Sequence, residues 1–99
     1  MCGIAGIHFK HDVRAEALDR VEAVFRQRLA HRGPDHVGVH RTRQGLFMNL
    51  RLAIVDRAGG QQPIYAPGGR RGIVYNGEVY NHEALRAPLV GQWPFATAS

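Results

Sequence analysis

The chain opens Met1-Cys2-Gly3-Ile4-Ala5-Gly6-Ile7-His8-Phe9. From Gly3 to Phe9 this stretch is short, isoleucine-rich and bounded by polar residues, the pattern of a buried strand that begins almost at the N-terminus. The first residues are thereby tied down. The next segment changes period. Leu18, Val21, Phe25 and Leu29 fall at i, i+3, i+7 and i+11, one face of a helix from about Val13 to Leu29. Asp12 is its expected N-cap, and Glu16/Arg20 and Glu22/Arg26 form i,i+4 pairs on its wet side.

His31-Arg32-Gly33-Pro34-Asp35 stops the helix, because Gly and Pro break the pattern and the flanking residues supply turn chemistry. Val37 to His40, Gly45 to Asn49 and Arg51 to Asp56 then have strand character. Gln61 to Tyr65 and Gly72 to Asn76 bracket Ala66-Pro67-Gly68-Gly69-Arg70-Arg71, a hairpin loop. The middle of the chain therefore reads as a β-meander. Asn81 can cap a second short helix carrying Leu85 and Leu89, which Pro88 should kink or end. Pro94 to Ser99 look like the approach to another strand. A sheet left unfinished there would expose strand edges and uncovered core, predicting poor solubility or pairing with a missing piece.

At 99 residues the chain is at most one small domain, with no room for a second catalytic one. Its 44% hydrophobic and 21% charged residues are those of an ordinary globular protein, so disorder is not expected. The net charge of +5 could suggest nucleic acid, but only Arg41/Arg43 and Arg70/Arg71 cluster and the other basic residues lie beside acidic ones. No nucleic-acid partner is expected. The first apolar run lacks a basic leader and a cleavage site, and no stretch approaches a membrane span, so the reading is cytoplasmic with no membrane partner. One cysteine cannot make an internal disulfide, and six scattered histidines give no C-x-x-C or H-E-x-x-H spacing, so no metal site is expected. Gly68 to Gly72 lack the phosphate-loop pattern. Phe9, Phe25, Tyr75 and Trp93 are expected in the core or at a domain interface.

A cysteine at position 2, followed by glycine, carries a specific chemical possibility. Initiator methionine is normally removed when the next residue is small, which would make Cys2 the N-terminal residue. An α-amino group titrates close to neutral pH and can take the proton of a thiol on its own residue, so nucleophile and base come together. Gly3 leaves the backbone free to approach a substrate. Alone, a cysteine beside an apolar strand is more often a small buried hydrophobe than a nucleophile.

The other segments change that balance. Met-Cys-Gly-Ile-Ala-Gly-Ile, His31-Arg32-Gly33-Pro34-Asp35, Arg51-Leu52-Ala53-Ile54-Val55-Asp56, Gln62-Pro63 and Tyr75-Asn76-Gly77-Glu78-Val79-Tyr80-Asn81-His82 occur in that order. Together they resemble the glutaminase domain of asparagine synthetases, which are class II glutamine amidotransferases with an N-terminal-nucleophile hydrolase fold. The resemblance runs from residue 1 to Ser99. It implies an α+β fold, an αββα sandwich of antiparallel sheets with only about the first half present. The family's domain is roughly twice this length, and the ATP-dependent synthetase domain that follows it is absent here.

By this resemblance Cys2 is the nucleophile that attacks the glutamine side-chain amide, giving a γ-glutamyl thioester and ammonia. Asn76 and Gly77 match the oxyanion hole, where a side-chain amide and an unobstructed backbone N–H can both point at the developing charge. Taken alone, Asn-Gly would read as a hairpin turn. Arg51 matches the anchor for the substrate α-carboxylate, which a planar guanidinium can hold bidentately. The backbone of Leu52, Ala53, Ile54 and Val55 would line the pocket, and Glu78 matches a residue holding the substrate ammonium. The other acidic partner of that amine follows the serine corresponding to Ser99. His31 to Asp35 are weighted as a structural loop and left out of the site. Asn49 and Leu50 stand where the family often has His-Arg, and Arg57 replaces an apolar residue, which puts acceptor specificity and a domain contact in doubt.

The implied function is glutamine hydrolysis that hands ammonia to an ATP-dependent amidation of aspartate. No cofactor is expected in this segment. ATP and Mg belong to the synthetase domain. The implied partners are glutamine and the missing C-terminal part of the same protein, and a homodimer is compatible with the resemblance. The same glutaminase with another acceptor, such as a lactam-forming synthetase, and a non-catalytic fragment are the competing readings. The 99-residue piece alone is expected to be inactive.

Overall fold

Alternating burial along the first strand is what builds the fold. In the computed structural model, which describes residues 2–54 and 58–97, β1 spans Gly3–His8, and its odd positions turn toward the core while Ile4, Gly6 and His8 face outward. The helix α1 covers Ala15–Leu29 and continues as a 3₁₀ turn over Ala30–Arg32. Strands β2 (His36–Thr42) and β3 (Gly45–Arg51) form a hairpin, and β1 pairs antiparallel with β3 on its other side. The sheet order is β1-β3-β2. A second two-stranded antiparallel sheet joins β4 (Ile64–Tyr65) to β5 (Gly72–Ile73). The helix α2 (His82–Arg86) and a 3₁₀ turn, Ala87–Leu89, follow. The fold is thus α+β with antiparallel sheets.

The core lies between α1 and one face of the three-stranded sheet. Leu18, Leu46, Met48 and Leu50 are buried, with Ile7, Phe9, Val21, Phe25, Leu29 and Val39 packed against them. Burying each such large side chain contributes about 1.5 to 3 kcal/mol, which is why the helix docks on this face. Arg41 fastens the two layers, donating to the Asp19 carboxylate at 2.6 Å and to the Ala15 carbonyl at 2.9 Å.

The opposite face of the sheet is covered locally by the segment around Gln62 and Pro63. Gly38 lies beneath it, so close that a Cβ would overlap the Gln62 carbonyl. Under the same cover Asn49 is fully buried and Arg51 is 5% exposed. The central strand is therefore enclosed on both faces.

Several expectations need correction. The helix starts at Ala15 with Arg14 as N-cap, not at Asp12, because Val13 N–H is drawn to the Arg43 carbonyl at 2.9 Å and the chain stays extended up to that point. The Glu22/Arg26 pair forms at 3.3 Å, whereas no ion pair joins Glu16 to Arg20. β3 runs without a break through Arg51, and Leu52 to Ile54 belong to no strand. Val55 and Asp56, the end of that expected strand, lie outside the described residues, as does Arg57. The middle of the chain is not a simple meander, since β1 pairs beside β3 and, among the described residues, β4 pairs only with β5. Asn81 precedes α2, but its side chain makes no capping bond. Pro94 to Thr97 form no strand, and Ala98 and Ser99 are not described. Phe9 and Phe25 pack in the core as expected, whereas Tyr75 and Trp93 are 43% and 48% exposed, which leaves the domain interface as the expectation for them.

Candidate active site

Cys2 is the residue just before β1, and the antiparallel register explains its surroundings. Gly3 faces Leu50, so one further step sets Cys2 beside Arg51. Neighbours across an antiparallel pair have Cα atoms about 4.5 to 5.5 Å apart and share a face of the sheet. Extending the register by that one residue would place the nucleophile candidate and the carboxylate-anchor candidate side by side. The Cys2 thiol is half-buried and lies 3.8 Å from the Leu52 carbonyl, within reach of a weak S–H donation.

Three residues of the His31–Asp35 loop frame this position. Arg32 donates through Nε to the Cys2 carbonyl at 3.2 Å. Gly33 packs so tightly on the backbone of Leu50 and Arg51 that a Cβ would overlap the Leu50 carbonyl. Asp35 accepts the Ala53 N–H at 2.7 Å, and its own N–H donates to the Arg51 carbonyl at 2.9 Å. The loop thus contacts both Cys2 and the Leu52–Ile54 backbone, through its Arg and its Asp.

The Asn76–Gly77 segment is held from a different direction. Gln62 donates through Nε2 to the Tyr75 carbonyl at 3.1 Å and accepts the Tyr75 N–H through Oε1 at 2.5 Å. Asn49 donates to the same Oε1 at 3.3 Å. Asn76 is half-buried, and Gly77 and Glu78 are exposed. The Tyr75 hydroxyl lies across Gly77, where it would stand 2.6 Å from a Cβ at that position.

The described residues thus bring Cys2, Arg51 and Leu52 together. No hydrogen bond among them links Cys2 to Asn76, Gly77 or Glu78. Ala53 is half-buried beside the site, Ile54 is 74% exposed, and Val55 lies outside the described residues. Among the described residues no group of three His, Cys, Asp or Glu is placed to hold a metal ion. No helix among the described residues is long and apolar enough to cross a membrane.

The sequence profile of a family described as "Glutamine amidotransferase domain" matches residues 1–99. The chain belongs to that family. Within the glutamine amidotransferases it is similar over its whole length to the asparagine synthetase [glutamine-hydrolyzing] of Triphysaria versicolor, at 42% identity, and covers 17% of that protein. It is 41% identical to asparagine synthetase [glutamine-hydrolyzing] 2 of Oryza sativa subsp. japonica and covers 16% of it. It is 38% identical to asparagine synthetase B [glutamine-hydrolyzing] of Escherichia coli (strain K12) and covers 18% of it. The chain is a glutamine amidotransferase domain homologous to the N-terminal portion of these synthetases and spans less than a fifth of their length.

Two supports of this amidotransferase site escape a reading along the chain. Gln62 appears in the sequence only as part of Gln-Pro, and Asn49 only as a departure from the usual residue. Their shared hydrogen bond depends on the chain folding back over β3, which no local pattern announces.

Proposed function

We propose that the chain carries the glutaminase half-reaction of an asparagine synthetase-like amidotransferase, within an N-terminal-nucleophile αββα sandwich of which residues 1–99 form part. Met1 is removed, and the freed α-amine takes the proton of the Cys2 thiol. The thiolate attacks the side-chain amide carbon of glutamine, and the carbonyl electrons move onto oxygen, facing the Asn76 amide and the Gly77 N–H. Collapse of this intermediate breaks the C–N bond, with the α-ammonium returning its proton to the leaving nitrogen, so ammonia departs and a γ-glutamyl thioester remains. Water attacks the thioester, the C–S bond breaks, and glutamate leaves with the thiol restored. Arg51 holds the substrate α-carboxylate, Glu78 the ammonium, and the backbone of Leu52 to Val55 lines the pocket.

The observation that supports this reading is the register of Gly3 opposite Leu50, since extending it by one residue pairs Cys2 with Arg51 on one sheet face. A nucleophile for the side-chain end and a fork for the carboxylate end of one small amino acid are then held by adjacent strands. In the whole protein the ammonia passes to an ATP- and Mg-dependent synthetase domain that amidates aspartate, in the cytoplasm. The test is glutamate release from glutamine by the full gene product, with intact mass reporting the loss of Met1. Cys2→Ala is expected to lower the rate by at least about 10³-fold. Release unchanged by that substitution overturns the proposal.

A further inference from the structure

The oxyanion donors Asn76 and Gly77 lie outside any strand, so the sheet that carries Cys2 and Arg51 does not fix them directly. The Gln62 side chain reaches across to their neighbour. One carboxamide satisfies both the N–H and the carbonyl of Tyr75, at 2.5 and 3.1 Å, as an adjoining strand would. This fixes the sense of the amide, since exchanging its N and O would set donor against donor and acceptor against acceptor. Behind it stands Asn49, fully buried in β3, whose Nδ2 donates to Gln62 Oε1 while its own Oδ1 finds no partner among the described residues. A buried carboxamide with an unmet acceptor is unfavourable. Among the described residues, the one hydrogen bond that the Asn49 side chain makes is the bond to Gln62.

We propose that Gln62 is the positioning residue of the oxyanion hole and that Asn49 supports it. The chain of contacts runs from the rigid central strand through Asn49 and Gln62 to the Tyr75 peptide, and so sets where Asn76 and Gly77 aim. This inference rests on the glutaminase reading above. Among the described residues Gln62 makes no hydrogen bond to Cys2, and on the glutaminase reading it acts through the Tyr75 peptide. Its loss should therefore lower the rate of the chemical step and leave glutamine binding in place, because Arg51 and Glu78 are untouched.

The experiment is steady-state glutaminase kinetics on the full gene product. Gln62→Met keeps the length and removes both hydrogen bonds to Tyr75 together with the one from Asn49. It should lower kcat by about 10- to 100-fold, less than outright loss of a donor and its neighbour, with KM within about threefold. Alkylation of Cys2 by iodoacetamide should proceed at the unsubstituted rate. Asn49→Leu removes the donor to Gln62 together with the unmet acceptor, and should lower kcat severalfold without loss of thermal stability. Gln62→Glu supplies the pH readout. Its carboxylate cannot donate to the Tyr75 carbonyl, but the protonated acid has one donor and one acceptor, like the amide. The ratio of its kcat to that of the unsubstituted protein should rise as pH falls from about 8 to about 5.5. If the unsubstituted protein releases no glutamate, the glutaminase reading itself fails. If it is active, and Gln62→Met acts through KM or leaves kcat unchanged, or the Gln62→Glu ratio is flat with pH, the positioning role is overturned and the glutaminase reading stands.

Discussion

An arginine is costly to enclose, because its charge must be satisfied where water cannot reach, and Arg51 is 5% exposed. Such a group is kept where its geometry is used. On the proposed reading that geometry is the planar fork, so Arg51→Lys keeps the charge and loses the bidentate grip. Loss of one hydrogen bond to a charged group is worth about 1.5 to 3 kcal/mol, so KM for glutamine should rise by about 10- to 100-fold, with kcat changed far less. Steady-state kinetics with glutamine reads the split. A fall in kcat at constant KM would contradict the anchoring role. At this scale the proposed roles of Cys2 and Arg51 are the ones the sequence suggests, because residue type and chemistry coincide there. It is silent at Gln62, Asn49 and Arg32, whose roles come from partners 13 to 30 positions away.

Among the elements, β1 and α1 are readable because their apolar periods of two and 3.6 are realised against one shared core. Their boundaries are set by contacts that the periods do not carry. The start of α1 is delayed by the pairing of Phe9 and Val13 with the β2–β3 turn, at 2.7 and 2.9 Å. The strand expected from Arg51 onward fails because Asp35 captures the Ala53 N–H that a strand neighbour would otherwise use. The cover over β3 is the least local feature of all. It depends on Gly38 admitting the Gln62 carbonyl, and nothing in His36–Thr42 marks that glycine as different from an ordinary strand glycine. Gly38→Ala should force the Gln62–Pro63 segment away from the sheet and destabilise the protein by about 1 to 3 kcal/mol. Thermal denaturation should show Tm lowered by several degrees, together with loss of glutaminase activity, because the same displacement pulls Gln62 off Tyr75. Unchanged Tm would mean that this cover is not close-packed.

Taken whole, the chain is more open than its size requires. Its accessible surface is 7285 Å², whereas a compact monomer of 11.0 kDa exposes about 5,600 Å². Its radius of gyration is 15.0 Å against about 12.6 Å for a compact domain of this length. Most of the exposed large apolar side chains among the described residues lie after β5. Tyr80 is 92% and Val90 67% exposed, and Leu85 and Trp93 are about half exposed, so α2 and the residues on either side of it turn apolar side chains to water. The stacking of Arg86 on the Phe95 ring, at 4.3 Å, ties this region to itself and not to the sheet. The physical cause is a shortage of partner surface. The core between α1 and the first sheet is closed, while the second sheet has only two short strands to pack against. On the reading of residues 1–99 as part of a longer glutaminase domain, further strands and helices supply that surface. The 99-residue chain expressed alone should then bind a hydrophobic dye such as ANS and unfold over a broad denaturant range, with a slope below that of a two-state domain of equal length. The full gene product should bind little dye and unfold cooperatively. A sharp transition and no dye binding by the 99-residue chain alone would show that it closes its own surface, and would count against its being part of a longer domain.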